Sequence, residues 1–86
     1  MTEYEAIKIA NIHLERMNRN NPYSDKMNWV LSECIEYERG FYFDYKFELI
    51  NPEENLVFGG APGFLIHKTN SLVVDQTWEE YNELKK

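Results

Sequence analysis

Carboxylate side chains are the most frequent residues in this 86-residue chain that could take part in chemistry. They occur in near pairs: Glu36 with Glu38, Asp44 with Glu48, and Glu53 with Glu54. General acid–base catalysis needs one such carboxyl in an apolar pocket that raises its pKa. These pairs fall on a strand surface predicted to face solvent, or in a loop, where nothing forces such a shift. We therefore expect that the protein is not an enzyme.

Nucleophiles and metal ligands are few. The single cysteine, Cys34, has no base close to it in sequence, and we expect a small filler on the less apolar face of its strand. His13 and His67 have no His, Cys or carboxylate partner at a spacing typical of metal ligands, which predicts two surface histidines and no metal or other cofactor. The glycine-rich run at 59–63 opens a strand and not a helix, so it is unlike a phosphate-binding loop.

The distribution of charge indicates what kind of partner the chain would attract. The formal net charge is −6, and residues 33–54 hold seven acids against two bases, a net of −5. Such a surface repels nucleic acid and anionic membranes, and a basic macromolecule is its natural electrostatic partner. The ordinary alternative is a solvated sheet face with no partner.

Two capping boxes predict a helix at each end of the chain. Thr2 and Glu5 open the first helix, which is predicted to end near Pro22. Thr77 and Glu80 open a short final helix. The apolar stripe of the first helix is predicted to be Tyr4, Ile7, Ala10, Leu14 and Met17, and that of the last is Trp78, Tyr81 and Leu84.

The middle of the chain predicts four strands. From Phe41 to Leu49 apolar and polar residues alternate without a break, so Tyr42, Asp44, Lys46 and Glu48 are predicted on the wet face. A strand before the turn at Arg39-Gly40 places Trp29, Leu31, Ile35 and Tyr37 on one side, and Glu33 interrupts this apolar pattern. After a short apolar patch at 56–58, strands at 64–68 and 72–74 are joined by Thr69-Asn70, with positive φ expected at Asn70.

This order of elements, α-β-β-β-β-α, predicts an α+β fold. Short connections favour an antiparallel sheet of four strands, or of three, with both helices on one face in two layers. The length predicts a single domain over 1–86. One cysteine, an acidic N-terminus and no apolar run of about 20 residues lead us to expect a cytoplasmic protein with no membrane span.

Three motifs give the chain a resemblance to a known family. They are an acidic strand followed by Gly40-Phe41-Tyr42-Phe43, a turn Gly59-Gly60-Ala61-Pro62 before Phe64-Leu65-Ile66, and a closing helix from Thr77 to Tyr81. With the opening helix at 2–18, these features make nearly the whole chain resemble the immunity protein 35 family, also called YrhB-like. These are small bacterial α+β domains.

The resemblance implies a cognate immunity protein, which binds a toxin domain in bacterial competition and blocks it. Many such toxins are basic nucleases, and an acidic inhibitor would suit one. Opposite charge speeds association and sets specificity. The resemblance therefore agrees with the partner that the charge distribution favours.

The predicted contact surface is the outward face of the central hairpin, with Tyr42 as its anchor because interface hot spots favour tyrosine. Its residues are Glu36, Glu38, Tyr42, Asp44 and Glu48, with Glu53 and Glu54 as possible additions from the loop. Two other functions remain open. One is a chaperone-like or general protein-binding domain, and the other is a small enzyme or ligand-binding module with a pocket between helix and sheet. The oligomeric state is not predicted.

Overall fold

The computed structural model describes residues 1–53 and 62–85. Helix α1 (Glu3–Arg19) is followed by strands β1 (Met27–Glu36), β2 (Gly40–Leu49), β3 (Phe64–His67) and β4 (Val73–Asp75), and then by helix α2 (Trp78–Leu84). The strands form one antiparallel sheet in the order β1-β2-β3-β4. The α+β fold is therefore confirmed, with four strands. The predicted apolar patch at 56–58 lies outside the described residues.

Helix α1 begins at the predicted capping box. The backbone N–H of Glu5 donates to the hydroxyl of Thr2 at 3.2 Å, and the Glu5 carboxylate accepts from the Thr2 backbone N–H at 3.3 Å. The predicted apolar stripe is only partly correct, because Tyr4 and Ile7 are exposed. The buried side chains are Ala6, Ala10 and Leu14, spaced at i, i+4 and i+8.

Small helical residues face large aromatic ones in the core. Ala6 and Ala10 are fully buried against a cluster on the sheet, which allows the helix backbone to approach closely. The cluster consists of Phe41, Phe43, Phe64 and Ile66. Each such large side chain contributes about 1.5–3 kcal/mol by leaving water, so the burial of this layer stabilises the packing of α1 on the sheet.

A β-bulge in β1 changes which residues share a face. Leu31 pairs with Tyr45, but Glu33 pairs with Asp44, so Ser32 is an extra residue. Every β1 side chain after the bulge lies on the face opposite to the one that simple alternation predicts. Ile35 therefore joins the face of Tyr42 and not that of Leu31.

The bulge also corrects the prediction for the cysteine. Cys34 pairs with Phe43 and packs against the core cluster under α1, so it does not lie on the less apolar face.

Helix α2 contacts the opposite face of the sheet from α1. The rings of Tyr81 and Tyr42 lie 5.0 Å apart between centroids, and Tyr42 points away from its neighbours Phe41 and Phe43 in β2. The prediction that both helices pack on one face was wrong. Alternation in β2 predicted that the face with Tyr42 would be wet. That face is instead partly covered by α2, and the amphipathic side chain of Tyr42 is buried there.

The β3–β4 connection differs from the tight turn that the sequence predicts. Strand β3 ends at His67 and β4 begins at Val73, so the loop has five residues. Positive φ occurs at Ser71, with a value of 60°, and not at Asn70. The Asn70 side chain accepts a hydrogen bond from the Leu72 N–H at 3.1 Å, which closes the loop locally.

Candidate acidic interface

The predicted contact residues do not form one surface. Glu36 pairs with Phe41 across the hairpin and so lies on the α1 side of the sheet, because the bulge has turned it over. There its carboxylate accepts from the Lys68 ammonium at 2.6 Å, while that ammonium also lies 5.2 Å from the Phe41 ring centroid. Glu36 is therefore separated by the sheet from Asp44 and Glu48.

Tyr42 is not an exposed anchor. Only 2% of its surface is exposed, and its hydroxyl oxygen accepts the Gly63 N–H at 2.7 Å. Burial is the main cause that raises the pKa of Tyr42 to about 12. The hydrogen bond from Gly63 lowers this pKa, and the charge of Asp44 raises it further. The outward direction that alternation predicts is right, but Tyr81 of α2 covers the ring. The prediction of Tyr42 as a contact residue is therefore corrected.

The remaining predicted residues lie at three different places. Glu38 is exposed in the turn between β1 and β2, where it lines a groove with Glu83 and Leu84 of α2. Glu53 is exposed in the loop after β2, and Glu54 lies outside the described residues. Only Asp44 and Glu48 share one face of β2.

The structure adds Glu33 to this pair. Glu33 is the direct cross-strand partner of Asp44, and Glu48 is the partner of Asn28 on the same face. Glu33, Asp44 and Glu48, called here the acidic hairpin face, lie on the side of the hairpin opposite to α1. In the sequence, Glu33 interrupts the apolar pattern of β1, but the face of the sheet on which Glu33 lies depends on the bulge.

Two directly opposed carboxylates are unfavourable for the sheet. Cross-strand partners have Cβ atoms about 4.5–5.5 Å apart, and like charges at this position destabilise a strand pair. Glu33 is exposed and Asp44 is partly exposed, so water and salt moderate the repulsion. Asp44 uses one oxygen to accept the Tyr45 N–H at 3.1 Å, which leaves its other oxygen for an external cation.

Nearby cations only partly balance these carboxylates. Lys46 lies on the same face of β2 between Asp44 and Glu48, and it makes no ion pair within 4.0 Å in the described part of the chain. The pKa of Lys85 is raised, chiefly by a hydrogen bond to Tyr81 and in smaller part by the charge of Glu33. The acidic hairpin face therefore remains open to a further positive charge.

The other residues considered for chemistry are held in structural roles. Cys34 is partly buried, and burial first, then the charge and hydrogen bond of Glu3, raise its pKa to about 11. This favours the thiol over the reactive thiolate. His13 is less exposed than the predicted surface position, because it is partly buried and its ring packs on Phe64 at 4.6 Å between centroids. Within residues 1–53 and 62–85, His, Cys, Asp and Glu side chains form no group of three that could hold a metal.

Comparisons with models of protein families, with curated proteins and with solved structures found no match to this chain. Among the described residues, neither helix has the length and apolar character needed to cross a membrane.

Proposed function

We propose that this protein is a non-catalytic immunity protein that binds a cognate bacterial toxin domain and neutralises it, with the acidic hairpin face as the contact surface. The observation that carries the proposal is the direct pairing of Glu33 with Asp44. Two opposed carboxylates cost stability in the free protein. A partner's lysine or arginine placed between them would remove that cost and gain two charge-assisted hydrogen bonds.

The character of the expected partner follows from this surface. Asp44 and Glu48 stand four residues apart on one face of β2, about 13 Å at the usual rise of an extended strand. A basic protein surface with cationic side chains at a similar spacing would match them. A nuclease domain that binds nucleic acid through such a surface would be blocked by the same contact.

The proposal predicts that a neighbouring gene encodes a toxin-like C-terminal domain, and the test is binding of that domain, measured by calorimetry at low and high salt. The variant carries Asp44→Lys with Glu48→Lys. We expect its dissociation constant to rise by about tenfold or more, and the wild-type complex to weaken as salt rises. Because Lys at position 44 would face Glu33, the fold should be retained.

The matched control changes the net charge of the protein by the same amount, at two positions outside the acidic hairpin face. Glu15 and Asp25 are exposed and lie outside the acidic hairpin face, so Glu15→Lys with Asp25→Lys should bind nearly as the wild type does. Glu36→Gln should also leave binding unchanged, since Glu36 lies on the α1 side of the sheet. Equal weakening by both double variants would mean that net charge, and not this face, governs association.

A second candidate function is a chaperone-like domain that holds apolar segments of other proteins. It is favoured by exposed apolar side chains on α1, where Tyr4 and Ile7 are 67% and 36% exposed at i, i+3 spacing. Binding of this kind does not weaken with salt. Capture of unfolded clients that persists at high salt, without a complex with the neighbouring domain, would favour this function.

A further inference from the structure

Among the described residues, strand β4 forms one edge of the sheet, and its outer backbone groups pair with no other strand. In the described part of the chain it pairs with β3 alone. The Leu72 carbonyl accepts the His67 N–H, and the Gln76 N–H donates to the Gly63 carbonyl, so these alternate residues of the β4 segment face β3. By the same alternation, the N–H and C=O groups of Val73 and Asp75 point outward.

These outward groups are self-complementary. If a second copy of β4 lies antiparallel across a twofold axis at Val74, Val73 of each copy stands opposite Asp75 of the other. Each pair exchanges an N–H···O=C bond in both directions, so the axis generates four hydrogen bonds. The result is one continuous sheet through both copies.

An apolar groove runs beside this edge. It has a volume of about 390 Å³ and lies between α1 and the β3–β4 loop. Ile12 is 53% exposed and Leu72 is 57% exposed, and both line it. The other lining residues are Ile9, His13, Arg16, Ser71 and Val73. A strand added to β4 would cover these side chains.

Charge at the edge is also complementary to a second copy. Arg16 lines the groove with Val73, and it makes no ion pair within 4.0 Å among the described residues. The Asp75 side chain is 79% exposed, and the Nε2 atom of His13 lies 3.5 Å from its carboxylate without a hydrogen bond. Since Val73 would stand opposite the second copy's Asp75, that carboxylate would enter the groove within reach of the guanidinium of Arg16.

We propose that a second copy of this chain docks on β4, forming a twofold dimer in which Arg16 of each copy binds Asp75 of the other. Strand β1 and the acidic hairpin face lie toward the other edge of the sheet, so the most negative segments of the two copies are kept apart. The dimer does not depend on the proposed immunity function, and it leaves the acidic hairpin face uncovered.

The test is sedimentation equilibrium over a range of protein concentrations, with charge-reversal variants. Arg16→Asp and Asp75→Arg should each raise the dimer dissociation constant about tenfold, because each turns two symmetric attractions into repulsions. An equimolar mixture of the two variants should dimerise again, since every contact between unlike copies then joins opposite charges. Arg19→Asp and Asp25→Arg, which are exposed positions that do not line this groove, are the matched controls.

Circular dichroism of each variant verifies that the fold is intact, and the mixture tests the contact itself. Failure of the mixture to dimerise would overturn the proposal, as would a dimer that neither reversal weakens. A wild-type chain that stays monomeric at millimolar concentration would also overturn it. If that monomer bound an extended peptide at β4, the edge would belong to a different partner.

Discussion

The Tyr42 hydroxyl oxygen accepts a hydrogen bond from the Gly63 backbone N–H at 2.7 Å, and both residues are buried. This bond joins β2 to the segment that leads into β3. Tyr42→Phe leaves a buried N–H without its acceptor, so we expect the free energy of unfolding to fall by about 2 kcal/mol. Urea unfolding followed by circular dichroism measures this. Tyr4→Phe, at an exposed position, is the control, and equal stability of both variants would contradict the role of the bond.

The same side chain predicts how stability depends on alkaline pH. Burial is the largest cause that raises the pKa of Tyr42 from its ordinary 10.0 to about 12. Between these values the unfolded chain loses the phenolic proton and the folded chain keeps it, so stability falls as pH rises. We expect the loss attributable to Tyr42 to be about 2 kcal/mol between pH 10 and 12.

Tyr45, whose pKa burial also raises, adds to the loss of stability in alkali. Denaturant titrations at pH 9 and pH 11.5 measure the total. Tyr42→Phe should lose less stability between these pH values than the wild type. If Tyr42→Phe and the wild type lost the same free energy of unfolding between these pH values, the alkaline sensitivity would belong to other groups.

Cys34 should react slowly with alkylating reagents. Burial and the neighbouring Glu3 raise its pKa to about 11, so at pH 8.5 it is almost entirely protonated. We expect iodoacetamide to modify the folded protein roughly a hundredfold more slowly than the urea-unfolded chain at that pH. Mass spectrometry of timed samples gives both rates. Glu3→Gln, which removes one cause of the shift, should speed the reaction in the folded state.

Gly40 is required by close backbone approach. A Cβ at this position would lie 2.1 Å from the Ile66 carbonyl oxygen, a distance that no side-chain motion relieves. We expect Gly40→Ala to lower the free energy of unfolding by about 3 kcal/mol, because the β2–β3 pairing must separate. Thermal unfolding by calorimetry tests this. A variant with the wild-type melting temperature would show that the sheet adjusts at little cost.

Local signals in the sequence predicted the elements well. Both capping boxes are present as expected, because Thr2 with Glu5 and Thr77 with Glu80 each satisfy helix N–H groups within four residues. The alternation from Phe41 to Leu49 also predicted β2. It is a local signal, because the face on which each side chain lies depends on its position along its own strand.

Relationships between elements were harder to predict. The bulge at Ser32 is a property of the pairing between two strands, and no residue type in β1 marks it. Tyr42 has a phenol suited to either water or a core, so its burial depends on where α2 docks. For these reasons the sequence placed Asp44 and Glu48 correctly on one face, omitted Glu33 and wrongly included Glu36.

The extra residue at Ser32 also bears on how this chain could vary over evolution. Deleting it would not shorten a loop. It would remove the bulge and leave the pairing regular, with Glu33 still opposite Asp44 and Cys34 still opposite Phe43, so each β1 side chain would keep its side of the sheet. A relative without the bulge could therefore keep the same order of apolar and polar residues on either side of the missing position, and a correct alignment would place its gap in the middle of a strand.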